Sequence, residues 1–92
     1  MAVEVRVPSM LQKFTDGAKL VQIESDNVGQ LLHSLEANYP GIGHQLLEDG
    51  KLRRFVNIYL NDEDIRFLDG METSLNDGDV LAILPALAGG AR

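Results

Sequence analysis

Apolar positions along this chain change period several times, and each change marks an element. Val3, Val5 and Val7 alternate with Glu4 and Arg6, the period of a strand with one face buried. Pro8 and Ser9 end or kink it. Met10 to Asp16 carries no clear period, and Asp16-Gly17 is a turn signal between two apolar runs. Ala18 to Glu24 reads as a second strand, so residues 2–24 form an amino-terminal hairpin whose long connection leaves the register open. Ser25, Asp26 and Asn27 then offer three helix caps in a row. Val28, Leu31, Leu32, Leu35 and Tyr39 follow at i, i+3, i+4, i+7 and i+11, one face of an amphipathic helix. Gly29 falls in the first turn, where fraying partly avoids its helix penalty of about 1 kcal/mol. Pro40-Gly41 stops the helix. Ile42, Leu46 and Leu47 point to a short second helix, and Asp49-Gly50 to a turn.

Phe55 to Leu60 is rich in β-branched and aromatic residues and reads as a central strand. Alternation puts Val56, Ile58 and Leu60 on one face and Phe55, Asn57 and Tyr59 on the other, without saying which face meets the helix. Asn61-Asp62 opens a turn, Ile65-Arg66-Phe67 reads as a short edge strand, and Asp69-Gly70 turns again. A turn over Leu75 to Gly78 feeds a last strand, Asp79 to Leu84. Strands on both sides of one main helix predict an α+β fold, a mixed sheet of four to five strands packed on that helix. Parallel pairing of the first and last strands at the sheet centre, across the helix crossover, makes this a β-grasp arrangement. Periodicity alone does not separate it from other small α+β folds. The globular domain is expected over residues 1–84, with a flexible carboxy-terminal tail over 85–92.

That tail, Pro85-Ala86-Leu87-Ala88-Gly89-Gly90-Ala91-Arg92, contains little that builds structure. Pro85 cannot donate to a sheet ladder. Glycines lack Cβ, so Gly89-Gly90 fits a channel too narrow for other residues. Extended, Pro85 to Gly90 reaches about 20 Å. The globular part then reads as a handle and the tail as the reactive part. The plainer reading is a frayed terminus. Phe55, Leu60, Leu84, Pro85 and Leu87 are candidates for an apolar docking patch beside the tail.

Composition narrows the function classes. The 92 residues make one domain, with net charge −6 and pI near 4.6. That balance argues against nucleic-acid binding, which needs clustered Lys and Arg. Lys51, Arg53, Arg54 and Arg66 do group loosely, but among Glu48, Asp49, Asp62, Glu63 and Asp64 they read as a mixed, solvated face. An acidic protein suits docking on basic patches of partner enzymes. There is no cysteine, which excludes disulfides, thiolate metal sites and cysteine nucleophiles. No apolar run approaches the ~20 residues of a membrane span. The charged, alternating first residues do not read as a signal peptide, so no membrane association and a cytoplasmic location are expected.

His33 and His44 are the only histidines and make a weak metal case, so no metal site is expected. Asp77 and Asp79 flank a glycine; as an acid–base pair they compete with an Asx-bonded turn, which explains them better. Asp62-Glu63-Asp64 reads as a solvated turn, and secondarily as a partner-facing acidic patch. No nucleophile and base combine into a catalytic constellation.

Phe55-Val56-Asn57-Ile58-Tyr59-Leu60-Asn61-Asp62-Glu63-Asp64, Leu75-Asn76-Asp77-Gly78-Asp79 and Ile83-Leu84-Pro85-Ala86-Leu87-Ala88-Gly89-Gly90 resemble the ThiS/MoaD family of ubiquitin-like sulfur carrier proteins. Leu35 to Ile42 shares the likeness, which extends over essentially the whole chain. Within the family the chain looks most similar to the CysO-type branch that serves cysteine biosynthesis. The resemblance implies a β-grasp fold and a thiocarboxylate on the last glycine. It implies a protein co-substrate, not an enzyme, with no cofactor bound. A ubiquitin-activating-like adenylating enzyme would use ATP-Mg and a sulfur donor to convert Gly90, while Ala88 and Gly89 thread its active site. A pyridoxal-phosphate (PLP)-dependent cysteine synthase would supply the acceptor, and a metallopeptidase would release the product. The chain departs from the family in carrying Ala91-Arg92 after Gly-Gly. If the resemblance holds, removal of Ala91 and Arg92 must expose Gly90. Thiamin, molybdopterin or tRNA thiolation as the destination, and a ubiquitin-like modifier or interaction domain, remain as alternatives.

Overall fold

The computed structural model describes residues 2–85. Strand β1 (Ala2–Arg6) is followed by a 3-10 turn (Ser9–Thr15) and strand β2 (Leu20–Glu24). Helices α1 (Val28–Asn38) and α2 (Ile42–Leu46) come next, then a two-stranded ribbon of β3 (Leu47–Glu48) and β4 (Lys51–Leu52). Strand β5 (Val56–Leu60), the short β6 (Glu63–Asp64), two 3-10 turns and strand β7 (Val80–Pro85) complete the order.

The main sheet runs β2-β1-β7-β5-β6. Strand β1 pairs antiparallel with β2, placing Val3 opposite Ile23 and Val5 opposite Val21. Its other edge pairs parallel with β7, Val5 beside Leu81. Strand β5 lies antiparallel on the far side of β7, with Ile58 opposite Ile83. This is the β-grasp arrangement expected from the element order. Helix α1 begins at Asn27, whose side chain accepts a hydrogen bond from the Gln30 amide at 2.8 Å and satisfies an otherwise orphaned donor. Its apolar stripe, Val28, Leu31, Leu32 and Leu35, is wholly buried with Val3, Val5, Ile58, Leu81 and Ile83. The core is thus one layer between the helix and one face of the sheet. The parity of β5 is thereby fixed: Ile58 and Leu60 are buried with the helix, while Asn57 and Tyr59 alternate to the opposite face.

One carboxylate ties the two helices together. Glu36 accepts hydrogen bonds from the amides of Gly41, at 3.0 Å, and Gly43, at 2.6 Å. Those backbone bonds hold its carboxyl below the ordinary carboxylate range. Gly41 is needed here because its φ is +102° and a Cβ would meet the Phe14 ring at 3.0 Å.

Several elements depart from the sequence expectation. Ile65–Phe67 is a 3-10 turn, not an edge strand. The edge strand is Glu63–Asp64, because the Asp64 carboxylate accepts from the Arg66 amide at 2.8 Å and bends the chain out of the ladder. The Asp62-Glu63-Asp64 turn is therefore not wholly solvated, since Asp64 is buried. The Leu47–Leu52 ribbon was not expected, two residues per strand being too short for a period. Residues 10–16, ambiguous in sequence, lie mostly in the 3-10 turn that buries Leu11 and Thr15. Gly29 has a packing reason rather than a fraying one: a Cβ there would stand 3.2 Å from the Met71 carbonyl oxygen. Pro85 belongs to β7, one residue beyond the expected strand end.

Two outcomes follow for stability. Leu35→Ala, which empties a fully buried site, lowers the unfolding free energy in urea by about 2–5 kcal/mol. Because the Gly41 and Gly43 amides hold the folded carboxyl of Glu36 below the ordinary carboxylate range, its stabilisation is fully present above the unfolded pKa and is lost as pH falls through the folded pKa. Thermal melts from neutral to acid pH are expected to show wild type more stable than Glu36→Ala at neutrality, with the difference narrowing in acid.

Candidate functional site

Strand β7 is held on both edges, by β1 and by β5. Its last described residue, Pro85, stands opposite Val56 at the start of β5. Proline fits there because the ladder ends and no further donor is needed. The chain therefore leaves the globular part from a central strand whose pairing with β1 ends at Ala82 and whose last residues, Ile83 to Pro85, are held by β5. The sequence-predicted residues Leu87, Ala88, Gly89, Gly90, Ala91 and Arg92 lie outside the described residues.

Beside this exit is an apolar groove of about 260 Å³, lined in part by Met10, Phe55, Leu84 and Pro85. Phe55 and Met10 are each 59% exposed and Leu84 44%, so their side chains are accessible to a partner. Local structure explains the exposure. Leu84 follows the outward parity of β7, between the buried Ile83 and the chain exit. Phe55 precedes the first ladder residue of β5. Met10 sits in the 3-10 turn beside the buried Leu11.

Three of the docking candidates, Phe55, Leu84 and Pro85, thus come together. Leu60 does not join them. It is 8% exposed, in register with Leu81 at the opposite end of β5 from Pro85. It shares the parity of Ile58, so the fold places it in the core.

The polar surroundings are mostly structural. Arg53, at the groove, donates from Nε to the His44 carbonyl at 2.7 Å and lies 3.5 Å from Glu48. Arg66 reaches Asp64 at 2.9 Å and donates to Asn57 Oδ1, which stands opposite Leu84. Hydrogen bonds from Arg66 hold the Asp64 carboxyl below the usual range. Asp77 accepts from the Ala2 amide at 3.0 Å. Asp79 accepts from the Asn76 amide at 2.8 Å and the Asn61 side chain at 3.0 Å. Both carboxylates therefore tie turns to strand ends. His33 and His44 are exposed, and among the described residues no three His, Asp or Glu side chains gather.

Besides Leu20, which points outward on β2 and is 54% exposed, sequence reasoning missed two exposed apolar side chains, Met10 and Phe67, the latter 81% exposed. Both sit in single 3-10 turns, where no periodicity separates an inward from an outward residue. The only available signal was their position beside chain breakers, Pro8 and Asp69-Gly70.

The ThiS family model matches residues 5–90. The chain is 50% identical over 93 aligned residues to the sulfur carrier protein CysO of Mycobacterium tuberculosis, spanning 98% of this chain and 100% of that protein. It superposes on a chain of the crystal structure of the Amycolatopsis orientalis BexX/CysO complex with a TM-score of 0.91 and 44% identity, covering 97% of this chain and 100% of that one. The solution structure of small archaeal modifier protein 1 from Methanosarcina acetivorans matches with a TM-score of 0.84 and 31% identity, over 97% of this chain and 96% of that one.

The division between docking and core residues has a direct check. Phe55→Ala, at a surface position, changes unfolding free energy by no more than about 0.5 kcal/mol. Leu60→Ala costs about 2–5 kcal/mol. Urea denaturation of the two variants measures both; equal costs would place both side chains in the same environment.

Proposed function

The chain belongs to the ThiS family, and from that premise we propose how it works as a sulfur carrier in cysteine biosynthesis. It is a co-substrate of other enzymes, not itself a catalyst. The observation that carries this reading is the 50% identity, along nearly the whole chain, to a sulfur carrier protein. The geometry supports it: the chain leaves a central strand beside an accessible apolar groove, as a carrier presenting its end to a partner requires.

The sulfur rides on Gly90. The family match runs to residue 90, the second glycine of Gly89-Gly90, which supports that assignment. Ala91-Arg92 is first removed by a metallopeptidase, exposing the Gly90 carboxylate. A ubiquitin-activating-like adenylating enzyme takes the end, with Ala88 and Gly89 in its channel, where side chains larger than alanine's methyl fit poorly. The carboxylate attacks the α-phosphorus of ATP and displaces pyrophosphate. A sulfur nucleophile then attacks the acyl carbon, AMP leaves, and a thiocarboxylate remains. The carrier binds no cofactor; ATP-Mg and the sulfur donor belong to the partner. A PLP-dependent cysteine synthase in the cytoplasm consumes the thiocarboxylate. Phe55, Leu84, Pro85 and Leu87 supply the apolar contacts beside the tail.

The likeness to a small archaeal modifier protein favours a second reading, in which the activated glycine is passed to lysines of other proteins. The same activation would serve it, with an amine in place of sulfur as nucleophile.

Chains ending at Gly90 and at Arg92 are to be incubated with the adenylating enzyme of the same cells, ATP-Mg and sulfide, and weighed intact. The Gly90 chain is expected to gain one sulfur in place of one oxygen, and the Arg92 chain to remain unchanged. Equal conversion of the Arg92 chain would contradict processing, and lysine conjugates without thiocarboxylate would favour the modifier.

A further inference from the structure

Four of the chain's eight Lys and Arg residues line one cavity. Lys51, Arg53, Arg54 and Arg66 surround about 300 Å³ floored by Val56 and Met71, and no Asp or Glu is among its lining residues. In a chain of net charge −6 this is a local reversal of sign. The sequence alone gave these cations five acidic neighbours. The fold pairs two of those neighbours with cavity arginines and sets the other three, Asp49, Asp62 and Glu63, in turns and the β6 edge outside the cavity lining. Asp64 is buried on Arg66, and Glu48 reaches Arg53 at 3.5 Å. Asp49 and Asp62 turn the chain at φ +54° and +73° in two separate hairpins. Among the described residues no carboxylate lies within salt-bridge distance of Lys51 or Arg54, and both side chains are exposed. Two ion-paired cations, Arg53 and Arg66, therefore share one concave surface with two that make no ion pair among the described residues, Arg54 and Lys51, the latter opposite Glu48 in the ribbon.

The backbone holds them there. The Arg53 amide donates to the Leu46 carbonyl at 2.9 Å and the Val56 amide to the Arg53 carbonyl at 3.1 Å, fixing the turn between the ribbon and β5. The Asp64–Arg66 pair brings the fourth cation from the β6 side. Val56, in the cavity wall, is the residue opposite Pro85, so the cavity adjoins the chain exit. Ala86 to Gly90 spans at most about 17 Å when extended. A partner that seats Gly90 in its active site brings the mouth of its channel up to this cavity. A nucleotide at the acyl end would lie up to a tail's length away.

We propose that the cavity of Lys51, Arg53, Arg54 and Arg66 docks an acidic segment of the protein that takes the tail, with carboxylates of that segment meeting Lys51 and Arg54. The partner's identity rests on the function proposed above; the chemistry of the pocket does not. Opposite charge at the channel mouth speeds encounter and fixes orientation, and its effect weakens as salt screens it.

The test has two readouts. In the first, the isotopically labelled full chain is titrated with an oligoglutamate peptide and, separately, with inorganic pyrophosphate, following amide chemical shifts. The peptide is expected to shift Gly50, Lys51, Arg54 and Gly70 saturably, and Lys51→Glu/Arg54→Glu to abolish this with the rest of the spectrum preserved. Shifts equally large at Lys13 and Lys19, without saturation, would overturn the proposal, and so would pyrophosphate saturating the site at lower concentration than the peptide. In the second, the adenylating enzyme acts on the chain ending at Gly90. The double reversal is expected to raise KM for the carrier about 10-fold with kcat unchanged and with a flatter salt dependence; Lys51→Gln/Arg54→Gln is expected to fall between. An unchanged KM would overturn the docking site and leave the carrier function standing. Failure of the unmodified chain to gain sulfur would strike the carrier function, while the titration still decides the pocket.

Discussion

The parallel pairing of β1 with β7 is the constraint on which this molecule depends. Parallel strands cannot be joined by a tight turn and need a long crossover. Here the crossover contains the second strand, both helices and β5. That connection lays α1 across the sheet and closes the core over Val5, Leu81 and Ile83. It also puts β7 in the middle, with a partner on each edge. Leu81 and Ala82 are held this way on both edges, and β5 alone carries the ladder on to Pro85, where the chain departs. The same pairing that builds the core thus sets where the chain emerges.

Around that base, stability and recognition are divided by strand parity. On β5 and β7, Ile58, Leu60, Leu81 and Ile83 are buried with α1, while Leu84 is left for other molecules. Charge is divided in a similar way. Glu36, Asp64, Asp77 and Asp79 are engaged in internal hydrogen bonds, and among the described residues Lys51 and Arg54 make no ion pair. A chain with an acidic balance can therefore present a basic concavity at the point where a partner must approach. None of this supplies a nucleophile or a base. In the proposed function the carrier contributes an unhindered acyl end, and the activation belongs to the enzyme that receives it.

The long elements were legible in the sequence because their periods run for several residues. The valine alternation of β1, the leucine stripe of α1 and the apolar run of β7 each specify a buried face. A cap within Ser25-Asp26-Asn27, which the structure resolves to Asn27, and the Pro40-Gly41 stop were legible for local reasons. Short elements were not. The Leu47–Leu52 ribbon has no period to read, and Ile65–Phe67 has β-type composition, but the Asp64 side chain overrides it. At the site, Phe55 and Leu84 were identifiable as apolar residues near the exit, whereas Leu60 was misplaced because composition alone does not tell which parity of β5 meets the helix. The cation cluster was visible as a loose group. Its net sign depends on where neighbouring carboxylates turn, and only the three-dimensional fold fixes that.

The central claim is that this chain carries sulfur on Gly90. The most direct measurement is the intact mass of the protein recovered from its native cells during sulfur demand. The account predicts a species lacking Ala91-Arg92, with a fraction holding one sulfur in place of one oxygen. Recovery of only the Arg92-ending mass, in sulfur demand and in rich growth alike, would contradict it.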